Sequence, residues 1–193
     1  MLRLFIVLSL LFSLTSCVEA VVGGAVATGT VIAQERTPGG AVDDIGIFWQ
    51  IKHNYLQKNA QDLLAGVSIE VIEGRVYLTG NVNTTEARID AVRLAWQVDG
   101  VKEVINEINI NNEKTIKNMV QNKWIKGQLV SKMIVNKNIR SLNYSIEVVD
   151  GVVYLMGIAR SNEELEEVTR LASTIKGVQK VISHVTLRNE NRV

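Results

Sequence analysis

Few residue types in this 193-residue chain could do covalent or metal chemistry. There is one cysteine, Cys17, and there are two histidines, His53 and His184. A thiol can serve as nucleophile, metal ligand or acceptor of lipid, and an imidazole as base or ligand. One cysteine supplies neither a disulfide partner nor the ligand set of a zinc finger. His53 falls in a helical stretch and His184 in a closing strand, at non-equivalent places, so a shared metal site is not expected. The carboxylates of "SNEELEEVTR" (161–170) read as a solvated helix face. Asp43-Asp44 reads as a helix start, where negative charge is favourable. No nucleophile, base and orienting group assemble, so the chain reads as a non-enzyme with no cofactor and no metal.

The surroundings of Cys17 select among the fates of its thiol. Met1-Leu2-Arg3 is a short positive start, and Leu4 to Leu14 is uncharged and almost wholly apolar. Such a run is too short to cross a bilayer as a helix and has the form of a signal-peptide core. Leu14-Thr15-Ser16-Cys17 then resembles the bacterial lipobox, a branched apolar residue and two small residues before Cys. The resemblance implies that Cys17 becomes the first mature residue and carries lipid on its sulfur and amino group. The alternative is an ordinary signal peptide with an incidental Cys near the cut. More than one acyl chain makes anchoring stable without a membrane span. Val18 stands where an aspartate often retains such proteins at the inner membrane, which points to the outer membrane, facing the periplasm.

The other constellation is electrostatic. Lys114, Lys117, Lys123, Lys126, Lys132, Lys137 and Arg140 lie between Lys114 and Ser145 with no acidic residue among them. Trp124 sits inside this run. Indole favours the headgroup level of a membrane, and each lysine near anionic lipid contributes about 1 kcal/mol. Overall charge hides the feature. Removing residues 1–16 takes away Arg3 alone among the charges and leaves 20 basic against 20 acidic residues.

The elements that position these residues come from an internal repeat. "IEVIEGRVYLTG" (69–80) recurs as "IEVVDGVVYLMG" (146–157), an offset of 77 that continues through Gly100 and Gly177 and through Val104 and Val181. In each copy alternating apolar residues predict a strand. Glu73-Gly74 or Asp150-Gly151 predicts a tight hairpin turn. A second strand then ends at Gly80 or Gly157. Asn83-Thr84-Thr85-Glu86 and Ser161-Asn162-Glu163-Glu164 have the spacing of capping boxes, predicting helices to about Gln97 and Ile175. A last strand follows each, and a helix precedes each hairpin near 44–58 and 115–135. The fold class is α+β: two tandem αββαβ domains, each a three-stranded mixed sheet backed by two helices. The boundaries read as signal peptide 1–16, lipidated tether 17–42, first domain 43–110 and second domain 114–188, with a short link at Asn111 to Glu113.

Repeats share a fold, so function is sought where they diverge. The first domain has 6 basic and 10 acidic residues over 43–110, and the second has 12 and 6 over 114–188, giving −4 and +6. Ile125, Leu129 and Met133 form a core spine at i, i+4, i+8, matched by Ile47, Ile51 and Tyr55. Trp124 precedes its spine by one residue, about 100° away. Gly46 holds the equivalent place in the first domain, which is expected to lack both the basic segment and an off-core tryptophan. Trp124 could instead pack on the first domain.

The repeated Gly74, Val76, Leu78, Gly80, Gly100, Val101 and Val104, with their partners 77 residues on, resemble the BON domain of bacterial envelope proteins. Lipobox, tether and two such modules together resemble the dual-BON outer-membrane lipoproteins. That resemblance implies contact with anionic phospholipid through the helix carrying Lys123, Trp124, Lys126, Gln128, Leu129, Ser131 and Lys132, in support of outer-membrane integrity. A protein-interaction or chaperone-like module docking an envelope assembly is the alternative. Nucleic acid is a poor partner for an exported chain.

Overall fold

The computed structural model of the chain describes residues 38–58, 60–111 and 116–188. Cys17 and most of the tether lie outside the described residues. The first domain runs α1 (Pro38–Gln57), α2 (Gln61–Gly66), β1 (Val67–Ile72), β2 (Arg75–Val82), α3 (Thr85–Trp96) and β3 (Glu103–Ile110). The second runs α4 (Ile116–Val135), a 3-10 turn (Ser141–Asn143), β4 (Tyr144–Val149), β5 (Val152–Ala159), α5 (Asn162–Ser173) and β6 (Lys180–Leu187). The expected order appears twice, with α2 as an addition in the first copy. Among the described residues α1 already covers Pro38, ahead of the start near Asp43 read from the sequence.

Each sheet is mixed. The hairpins pair antiparallel, β1 with β2 and β4 with β5, and the last strand of each domain returns parallel to the middle one. The registers repeat: Val67 lies opposite Gly80, and Tyr144 opposite Gly157. Both hairpin turns have two residues at positive φ, 55° and 79° at Glu73-Gly74 and 48° and 79° at Asp150-Gly151. That is the type I′ turn, whose twist matches the flanking strands. Gly80 and Gly157 answer a different demand. A Cβ on either would stand 2.1 Å from a backbone oxygen, of Gly66 and of Asn143 respectively.

Helix starts differ in one detail from the sequence reading. Ser161 caps α5 as expected, accepting from the Glu164 N–H. In the first domain the cap is Thr84, which accepts from Ala87 N–H, and not Asn83. A capping oxygen must reach the third residue inward, and the chain turns helical one residue later than the box implied.

Strand alternation divides the side chains between two kinds of core. Val76, Leu78 and Val82 of β2 face α1 and α3 with Ile47, Ile51, Tyr55 and Leu94. Val153 and Leu155 of β5 face α4 and α5 with Ile125, Leu129, Met133 and Val168. The opposite faces pack on each other: Ile72 and Tyr77 from one sheet meet Val149, Tyr154, Met156 and Ile158 from the other. Sheets thus form the inner layers and helices the outer ones. Polar ties fasten the seam. Asp150 accepts from the side-chain amides of Asn81 at 2.9 Å and Asn111 at 3.3 Å. Domains of this size have marginal cores alone, which makes the shared third core a gain in stability.

Two carboxylates sit elsewhere than the sequence reading placed them. Asp44 does not begin a helix. It is buried inside α1, and its oxygens accept from Glu73 N–H and Gly74 N–H, both at 2.8 Å. Asn122 of α4 does the same for the second hairpin, accepting from Gly151 N–H at 3.1 Å. Glu164 is not on a solvated face; it is 4% exposed. It accepts from the N–H groups of Arg140 and Arg160 and from Arg160 Nε. Burial alone would raise the Glu164 carboxyl, but these hydrogen bonds and the Arg160 charge outweigh it and hold it below the usual carboxylate range.

Candidate functional site

α4 is built from a sequence with two usable faces. Ile125, Leu129 and Met133 recur at helical spacing and lie fully in the second-domain core. Leu129 therefore presents nothing to a partner. Its place at the contact, implied by resemblance, is corrected to a place behind it, because the spacing that buries Ile125 and Met133 buries Leu129 with them.

The outward face carries the remaining residues. Trp124 is 49% exposed, and Val120 and Val135 are exposed along the same side of the helix. Lys123, Gln128, Ser131 and Lys132 are exposed around them, and Lys126 is exposed on the flank of the helix toward β4. Lys126 Nζ lies 3.0 Å from Glu147 Oε2, a pair open to solvent and worth little. Trp124 belongs to neither the second-domain core nor the core shared by the two sheets. An apolar ridge flanked by lysines on an outer layer can lie at a membrane interface without unfolding anything.

The first domain departs from expectation. It does carry an off-core tryptophan: Trp49 is 64% exposed, more than Trp124. Val42, Ile45, Trp49 and Leu56 make an exposed apolar stripe along α1. Trp49 follows the spine residue Ile47 by two positions, about 200° around the helix. That spacing is legible in the sequence, since two positions past a spine residue lie nearly opposite the buried face. Beside it, Phe48 meets Trp49 edge-on at 5.2 Å, and Lys52 Nζ stands 5.9 Å over the Phe48 ring. The domains thus differ in charge rather than in possession of an exposed indole.

The histidines also find different settings. His53 Nε2 lies 2.8 Å from the Gln57 side chain on exposed α1. His184 Nε2 lies 2.8 Å from Glu107 Oε1, across the seam between the domains. Among the described residues no group of His, Cys, Asp and Glu is placed to hold a metal ion, and no helix is long and apolar enough to cross a membrane.

Relatives agree with the repeat. The chain is 41% identical over 149 residues to an "Uncharacterized protein in gshII 5'region" of Anaplasma centrale, covering 77% of this chain and 97% of that one. It is 31% identical over 181 residues to the outer membrane lipoprotein DolP of Haemophilus influenzae, covering 93% of each. A 21 kDa hemolysin of Actinobacillus pleuropneumoniae is 28% identical over 148 residues, covering 76% of this chain and 75% of that one. The BON domain family profile matches residues 53–112 and 121–189, one match in each repeat. The chain belongs to the BON domain family, as a tandem pair of such domains.

Proposed function

We propose that this chain is a non-enzymatic lipoprotein of the bacterial envelope that binds anionic phospholipid through α4 and supports outer-membrane integrity. Cys17 carries the lipid anchor, and the folded domains face the periplasm from the outer membrane. The observation that carries the reading is the outward face of α4, where Trp124 stands exposed between Lys123 and Lys132, with Lys126 exposed on the flank toward β4. The domain bearing it has a net charge of +6 against −4 for its neighbour. Likeness to an outer membrane lipoprotein over 93% of the chain supports the location. Two weak attachments on one chain, acyl and helical, reinforce each other through effective concentration. The reading needs no metal, cofactor or nucleic acid.

Co-sedimentation of the chain from Val18 to Val193 with vesicles tests it. Binding should require anionic lipid and should weaken as salt rises, since screening acts within about 10 Å at 0.1 M. Equal binding to neutral vesicles would overturn it. The apolar stripe of α1 in the acidic domain favours a second reading, a protein-docking surface for an envelope assembly, with Trp49 as its anchor.

A further inference from the structure

The two copies also diverge beside α4, where the difference opens a groove. In the second domain a cleft of about 320 Å³ runs between α4 and the edge strand β4, lined by Val130, Met133, Ile134, Leu142, Tyr144 and Ile146. Lys126, Ser141 and Ser145 complete the lining. The volume is at the small end for a ligand site, and the lining is apolar with a few polar groups, as such sites are. In the first domain apolar side chains occupy two of the matching positions. Spine residues pair at an offset of 78 along the first helices, which puts Phe48 where Lys126 stands. Counting back from the strands at an offset of 77 puts Leu64 of α2 where Ser141 stands. Phe48 and Leu64 both pack against the first-domain core. The second domain replaces them with a cation and a small hydroxyl, and it replaces the helix α2 with a 3-10 turn.

We infer that this groove takes one acyl chain of a membrane phospholipid, with Lys126 meeting the anionic headgroup at its mouth. The inference rests on the lipid reading of α4 and extends it from a surface contact to a single-molecule site. The groove shares α4 with the proposed membrane contact, and its walls Ile134 and Leu142 are 66% and 53% exposed. Exposed apolar side chains around a concave floor favour an apolar occupant, because water gains nothing there. The groove opens on the flank of α4 that faces β4, about a third of a turn around the helix from Trp124. Lys126 would exchange its solvent-exposed pair with Glu147 for a phosphate.

The test separates the groove from the surface contact by using lipid below the concentration at which it forms micelles. Monomeric lysophosphatidylglycerol is titrated calorimetrically into the chain from Val18 to Val193. The expected result is saturable binding of one molecule per chain. Ser141→Leu, which copies the first domain, should weaken it tenfold or more while vesicle co-sedimentation stays within twofold. Lys126→Gln should weaken the anionic lysolipid severalfold and leave lysophosphatidylcholine unchanged. Should Ser141→Leu fail to fold, Ile134→Gln, on an exposed helix position, removes one wall and should weaken monomer binding fivefold or more. Monomer binding within twofold of wild type in the groove variants overturns the inference, as does absence of monomer binding by a chain that still sediments with anionic vesicles. Vesicle binding indifferent to Trp124→Glu would instead sink the surface reading, whatever the monomer does.

Discussion

His184 Nε2 lies 2.8 Å from Glu107 Oε1, and the two residues hold the same position, 77 residues apart, in the two copies of the fold. β3 and β6 are thus brought together by equivalent places on a pseudo-symmetric seam. The seam is asymmetric in chemistry, with a base on one side and an acid on the other. Tyr77 lies beside it, its hydroxyl donating to the His184 carbonyl at 3.4 Å.

Substituting either partner should loosen the domains modestly. His184→Ala and Glu107→Ala are each expected to cost about 1 kcal/mol, with a coupling of about 0.5–1 kcal/mol in a double-mutant cycle, since both side chains are partly solvated. Chemical denaturation of the four proteins gives the coupling. A cycle that closes at zero would mean the contact does not fasten the seam.

Glu164 should matter far more than a surface glutamate. Glu164→Ala leaves the N–H groups of Arg140 and Arg160 without their acceptor, at a cost of about 2–4 kcal/mol. Its carboxyl is held below the usual range in the folded state, so its contribution is fully present above the unfolded value near 4.3 and is lost as pH falls through the folded value. Glu164→Gln should therefore flatten the loss of stability below about pH 4. Thermal melts across pH show the difference in slope.

Glycines on this chain should respond oppositely to alanine. At Gly80, with φ of 119° and a Cβ site 2.1 Å from the Gly66 oxygen, alanine should cost about 3 kcal/mol or prevent folding. Gly127 has open space where a Cβ would go and lies within α4, so Gly127→Ala should stabilise by up to about 1 kcal/mol. Paired Tm measurements decide it; a stable Gly80→Ala would mean the strand junction is more forgiving than its geometry.

Of the three exposed tryptophans, the two on first helices, Trp49 and Trp124, should part company at a membrane. Trp124→Glu is expected to reduce binding to anionic vesicles at least tenfold with circular dichroism unchanged. Trp49→Glu, in the acidic domain, should leave binding within twofold. If both changes act alike, charge does not orient the protein and α1 shares the contact.

Cys17→Ala should block processing and release the protein from membranes. Metabolic labelling with a fatty-acid probe reads this directly. Label retained after the substitution would place the lipid elsewhere.

Local chemistry made much of this fold readable in advance. Strands of alternating apolar residues, Asp-Gly and Glu-Gly turns and a Ser cap each act within a few residues, so "IEVIEGRVYLTG" and its repeat both form hairpins here. The repetition of that stretch 77 residues later specified two domains. The basic run and Trp124 were equally plain, because charge needs no fold to be counted. What the sequence left open were relations between distant residues. "SNEELEEVTR" reads as polar, yet Glu164 is buried because the N–H groups of Arg140 and Arg160 converge on it, a meeting of segments up to 24 residues apart. Asp44 looked like a helix start until the first hairpin turn came to rest on it, 29 residues on. The groove beside α4 lies where a 3-10 turn stands in the place that α2 takes in the first domain, against the flank of that helix. Turns and caps are paid in local conformational energy; burial and cavities depend on which surfaces the finished chain closes together, and only the tertiary structure decides that.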